Sequence, residues 1–165
     1  MTVSVSDNLL HFMISYVILI IACTLVARFY VWPAIKDRAP KAALTPLLLY
    51  ATLRVNGLMF IMPGLASADL PRGFAVPTAY GDLTATILAL LAVWSLRSGN
   101  ALAIPLVWLF NVEGSLDLVY ANIATFREHM DPATIGVGYY LAAINVPIML
   151  VVHTMIFIYL LRPHD

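Results

Sequence analysis

Apolar residues in this chain run in long blocks, without the short alternating or one-sided patterns of water-soluble elements. Five blocks reach the ~20 residues that a helix needs to cross a bilayer. They cover roughly 8–30, 43–65, 78–96, 101–126 and 136–161. The third and fourth blocks each carry acidic residues, but SLRSGN between them is a turn signal that separates them. The pattern predicts an all-α fold: a polytopic integral membrane protein, with residues 1–165 as a single transmembrane domain built as a five-helix bundle. No internal repeat is visible at any useful period.

Charge outside the blocks orients the bundle. Arg28, Lys36, Arg38 and Lys41 flank the first connection, Arg97 the third, and Arg162 the C-terminal tail. The other side has only Arg72 and Arg127. Cytoplasmic loops are the ones enriched in Lys and Arg, so the expectation is N-terminus outside and C-terminus in the cytoplasm, in the plasma (inner) membrane. Tyr30, Trp32 and Trp94 then sit as aromatic anchors near the inner interface and Phe126 near the outer one. The start of the chain, MTVSVSDNLLHF, has no basic region and no small-residue cleavage pattern follows. The first block is therefore read as a retained helix.

Composition agrees. The 165 residues are 62% hydrophobic and 11% charged, with a mean hydropathy of +0.90. Soluble domains carry about 25% charged residues, and a chain this short cannot hide so much apolar surface without lipid. Nine Lys and Arg balance nine Asp and Glu, which argues against a nucleic-acid partner. The single cysteine, Cys23, excludes an intrachain disulfide or a CxxC motif.

Against this background four ionisable residues stand out inside the blocks: Arg54, Asp82, Glu113 and Asp117. Each costs at least ~2.5–3.5 kcal/mol at bilayer depth, so their presence points to a polar site between helices. At a rise of about 1.5 Å per residue, Arg54 and Glu113 both fall near the midplane and can meet. Asp117 lies one turn further out, and Asp82 one turn below the outer end of its block. Asn56, Asn122, Asn145 and His11 also fall in the outer half, with Asn111 near the centre and His153 slightly below. A pocket open to the outside follows. On the fourth helix, Glu113, Asp117 and Tyr120 share one face, while Asn111, Ser115 and Asn122 share nearly the opposite one. A helix polar on two sides should be central, touching neighbours all round.

One arginine cannot neutralise three carboxylates. A bidentate Arg54–Glu113 or Arg54–Asp117 pair leaves the remaining acids desolvated and near like charge, so at least one should hold its proton at neutral pH. Asp82 has a plainer reading as an interfacial residue complementing a helix N-terminus. Asn111, Asn122 and Asn145 read equally as interhelical glue.

Several chemistries are disfavoured. His11 and His153 differ in depth by roughly 20 Å, too far for two axial ligands of one haem. There is no intramembrane Lys for a Schiff base, no Glu-x-x-His pair for a metal-bridging site, and no nucleophile-elbow, P-loop or zinc-helix motif. No cofactor and no metal is expected. The outer connection ASADLPRGFAVP reads as a connector, or as a lid whose Leu70, Phe74 and Val76 dip into lipid. REHMDPATIG reads as a solvated loop despite the ligand types at Glu128, His129 and Asp131.

The expectation is an outward-opening pocket that binds a small lipophilic molecule and can transform it by acid–base chemistry. Glu113, Asp117 and Asp82 are the candidate catalytic acids, and Arg54, Asn111, Asn145, His153 and Asn56 the candidate ligand-binding residues. Two alternatives stand beside it. One is a proton-coupled small-molecule transporter. The other is a non-catalytic subunit or assembly factor of a larger membrane complex. A homo-oligomer is compatible with all three.

Overall fold

The computed structural model describes residues 5–162. Five long helices fill them: α1 (Asp7–Ile35), α2 (Pro40–Ile61), α3 (Arg72–Ser98), α4 (Ala103–Arg127) and α5 (Gly138–Leu161). A short turn of 3₁₀-helix over Pro132–Ile135 precedes α5, and no strand occurs among the described residues. Four of the helices are long and apolar enough to cross a membrane. The 25-residue α4 falls outside that set because Asn111, Glu113, Ser115 and Asp117 dilute its apolar content.

Helix irregularities have local causes. The prolines Pro33 and Pro147 lack an N–H and crowd the preceding turn, and each follows a wider π-turn, over Ala27–Val31 in α1 and Leu141–Asn145 in α5. In α2 the backbone tightens to 3₁₀-helix from Thr52 to Ile61. Three residues per turn then align positions three apart, and the buried residues of this stretch are Arg54, Gly57 and Phe60. At the end of α3, Gly99 takes the left-handed conformation (φ 69°) that closes many helices.

α3 packs along both α2 and α4, and α5 completes the ring by contacting α4 and the first half of α2. α1 lies outside, mainly against α5 and the turn that precedes it. Its apolar stretch is only 11% buried, against 44% in α2, α3 and α5. The ring closes tightly because α3 presents Ala85, Ala89 and Ala92, all fully buried, on one face. Small residues let helix backbones approach in a lipid environment. Two apolar clusters result. One joins the halves around Leu44, Leu48, Val107, Phe110, Met155 and Ile156. The other, at the opposite end, gathers Phe12, Phe60, Phe74, Met130 and Ile135.

Three sequence expectations change here. α4 is not surrounded on all sides: between its two polar faces runs an exposed apolar stripe of Leu109, Val112, Leu116, Val119 and Ile123. Two polar faces some 200° apart leave room for such a stripe, as the helix geometry allows. α3 begins at Arg72 and not near Thr78, so half of the expected outer connection is helical. Leu70 and Phe74 point inward, at 5% and 4% exposure, and do not meet lipid. The outer connections instead pack on each other, with the Ser67 amide donating to the Thr134 carbonyl at 3.0 Å.

The early start of α3 is possible because of a specific repair. Pro77 sits within the helix and offers no N–H to the carbonyl of Gly73, four residues before it. The Tyr120 hydroxyl of α4 donates to that carbonyl at 2.8 Å. Tyr120→Phe should therefore lower thermal stability by about 1 kcal/mol, the worth of a typical hydrogen bond, here to a partly buried acceptor. Pro77→Ala restores a backbone donor, so in that background Tyr120→Phe should cost much less. Equal losses in both backgrounds, measured by thermal denaturation in one detergent, would refute this role for Tyr120.

Candidate functional site

Arg54 lies between the two apolar clusters and is 2% exposed. A guanidinium carries five N–H donors and no acceptor, so at this depth it needs oxygen or nitrogen acceptors from its neighbours. It finds them on three other helices. Nε donates to Asp82 Oδ1 of α3 at 2.7 Å. Nη2 donates to Asp117 Oδ2 of α4. Nη1 donates to the Gly114 carbonyl of α4 at 3.0 Å and lies 3.2 Å from His153 Nε2 of α5.

The last contact sets the histidine tautomer. Arginine only donates, so His153 Nε2 accepts and Nδ1 carries the proton. Nδ1–H then donates to Asn111 Oδ1 at 2.7 Å, and Asn111 Nδ2 returns a bond to the His153 carbonyl at 3.1 Å. Phe110 stacks on the imidazole with ring centroids 5.0 Å apart. Each end of this chain is satisfied, which holds a neutral imidazole behind the guanidinium.

Glycines make the space. A Cβ on Gly81 would sit 1.8 Å from Asp117 Oδ1, and one on Gly57 would sit 1.9 Å from Asp82 Oδ2. A Cβ on Gly114 would meet Arg54 Nη1 and His153 Cε1, each at 2.6 Å. So α2, α3 and α4 each give up a side chain where a charged group must pass.

Above Arg54 a cavity opens toward the end of the bundle that carries the first turns of α1. It is small and partly open, with a cavity volume of about 80 Å³. Arg54, Asp82 and Asp117 form its closed end, Phe12, Tyr16, Phe60 and Phe74 are among its walls, and Asn122 and Asn145 supply amides. Tyr16 of α1 donates to Asn122 Oδ1 of α4 at 3.0 Å, and Tyr50 donates to Asn145 Oδ1 at 3.3 Å. Asp82 and Asp117 each give one oxygen to Arg54; their other oxygens make no hydrogen bond among the described residues. Thr78, 5% exposed, also lines the cavity, and its hydroxyl has no partner.

The sequence-derived candidates divide accordingly. Arg54, Asp82 and Asp117 converge at the cavity, and Asn145 lines it. His153 and Asn111 stand behind the guanidinium, outside the cavity lining. Glu113 is half-buried on the same flank of α4 as Asp117 but does not bond Arg54, and its buried Oε2 has no partner. The expected bidentate pair with one acid is replaced by a fork shared between two, because Asp82 sits deeper than expected. It lies ten residues into α3, about 15 Å from the helix start, so its reading as an interfacial helix-start residue fails. Asn56 faces outward from the bundle and takes no part. Thr78 and Gly81 went unremarked in the sequence, although a glycine directly before an intramembrane acid is a legible sign of close approach. Among the described residues no group of His, Cys, Asp or Glu is arranged to hold a metal ion.

Removing Arg54 leaves two carboxylates in the interior with no counter-charge. Arg54→Gln should lose about 3–5 kcal/mol of stability, the cost typical of breaking a buried pair from one side. Glu113→Gln removes an unpartnered charge and should leave stability unchanged or raised. Chemical denaturation of the two variants in matched nanodiscs separates these outcomes, and wild-type stability in Arg54→Gln would show that the clamp does not hold the fold.

No curated protein and no solved structure matches this chain. A family match does cover most of it, residues 11–161, and the chain belongs to that family, described as a domain of unknown function, DUF8737.

Proposed function

We propose that this chain is a five-span protein of the plasma (inner) membrane, N-terminus outside, whose cavity opens outward and binds a small lipophilic molecule. The observation that carries the reading is the cavity itself. Its walls are apolar and aromatic, and its closed end holds one guanidinium and two carboxylates with unengaged oxygens. Ligand sites have this makeup: mostly hydrophobic lining with a few converging polar groups. The count of three acids against one arginine supports a proton held in the cluster, and with it acid–base chemistry on a bound molecule. Asp82 and Asp117 are the groups positioned for it, with Glu113 as a neighbouring reservoir on the same flank of α4. Arg54 anchors the carboxylates, Asn145 contributes an amide to the wall, and Asn111 and His153 hold Arg54 from behind.

Proton-coupled transport is the second reading. It would require polar groups onward from the cluster, and beyond Asn111 the interior is mainly Leu48, Ala89, Val107, Met155 and Ile156, with Thr45, Ser95 and Tyr159 as scattered buried polar groups. A purely structural subunit would carry polar groups on its outer surface; Asn56 on α2 is such a group, standing among exposed Leu53 and Val55.

Two measurements bear on the proposal. In nanodiscs, 1-hexanol or hexylamine should raise the melting temperature of the wild type, and Ala121→Phe, which fills the cavity wall, should abolish the rise. Stabilisation that survives Ala121→Phe would place binding elsewhere. For orientation, a Cys23→Ser background carrying Ala68→Cys should react with a membrane-impermeant maleimide on intact cells, whereas Asp37→Cys should react only after lysis. The reverse pattern would invert the topology.

A further inference from the structure

The cavity end is short of positive charge and long in acceptors. Its ionisable lining is one guanidinium against two carboxyl groups, with the unpartnered carboxyl of Glu113 on the same flank of α4; with one proton held among these three acids, one negative charge is still unbalanced. The imidazole of His153 adds no charge, because its Nε2 accepts from Arg54. Arg54 commits four of its five N–H groups to protein acceptors and keeps one on Nη2, so an anionic ligand would meet one donor against two carboxyl groups.

The acceptors are specific. Asp82 Oδ2 and Asp117 Oδ1 make no hydrogen bond among the described residues, and each is brought up against a glycine of the neighbouring helix. The Thr78 hydroxyl is a third. Thr78 lines the same cavity one helical turn before Asp82, is 5% exposed, and its buried hydroxyl does not take the usual bond to a carbonyl of its own helix. A buried hydroxyl without a partner is costly unless something else supplies one. Above these three groups the walls are Phe12, Tyr16, Phe60 and Phe74, whose ring faces attract cations as well as apolar bodies.

Resting on the ligand-pocket reading above, we infer that the occupant is a lipophilic primary ammonium: three N–H donors and one positive charge at Asp82, Asp117 and Thr78, with an apolar tail along the aromatic walls. A neutral alcohol offers one donor to the same three acceptors and leaves the charge deficit in place. A carboxylate adds to it.

The test uses the full chain in nanodiscs and three probes of one chain length: hexylamine, 1-hexanol and hexanoate at pH 7. Hexylamine is protonated there, as a lysine side chain is. Binding is read from the midpoint of the melting-temperature rise against free probe. Hexylamine should bind at least tenfold more tightly than hexanol, and hexanoate should not bind. Thr78→Val, which keeps the side-chain shape, should weaken hexylamine several-fold and leave hexanol unchanged. Asp117→Asn should weaken hexylamine at least tenfold; if that variant fails to fold, Thr78→Val still decides. Equal binding of hexanol and hexylamine, or a preference for hexanoate, overturns the ammonium assignment while leaving a ligand pocket. Binding of none of the three overturns the pocket reading as well.

Discussion

One guanidinium sets the geometry of this bundle. Arg54 carries a charge that cannot be lost and a fork of donors that cannot be left open in an apolar interior. Its acceptors lie on α3, α4 and α5, so satisfying it fixes the relative positions of four helices at once. Apolar packing alone would not do this. Between lipid-bathed helices the hydrophobic drive is weak, and packing of small residues tolerates sliding. A bonded charge does not tolerate it, because a slip of one residue moves the acceptor by about 1.5 Å and breaks the bond.

The rest of the interior is shaped to admit that clamp. Gly57, Gly81 and Gly114 stand where a side chain would collide with a carboxylate or with the guanidinium. The alanine face of α3 draws α2 and α4 close enough for Arg54 to span them. Tyr120 completes the backbone of α3 where Pro77 interrupts it, which lets that helix begin at Arg72, ten residues before Asp82. These features serve one another: the extended α3 places ten helical residues ahead of Asp82, and Arg54 meets two carboxyl groups in place of one.

The clamp also divides the molecule by chemistry. On one side of it the interior is closed and mostly apolar, from Leu44 to Ile156. On the other a cavity remains, because α1 leans on α5 and reaches α4 through the Tyr16–Asn122 bond. Asp82 and Asp117, each with one oxygen that Arg54 leaves unused, line that space. The same residues therefore hold the helices together and present an unbalanced charge to whatever enters.

Much of this was legible in the chain alone. Long apolar blocks dictate helices that need lipid, because a bilayer leaves the backbone no other way to pair its polar groups. Intramembrane charge marks a buried polar site for the same reason, and Arg54, Asp117 and Asp82 were found that way. The pairing was not legible. The direction in which a side chain faces depends on the local helix pitch, and the 3₁₀ stretch of α2 rotates Arg54, Gly57 and Phe60 onto one face where α-helical spacing would have spread them. Helix order, the share of the fork given to Asp82 over Glu113, the isolation of Asn56 and the cavity beneath α1 all arise from contacts between segments far apart in sequence. Each block's own periodicity carries no information about which neighbour it will meet, and only the assembled tertiary structure decided that.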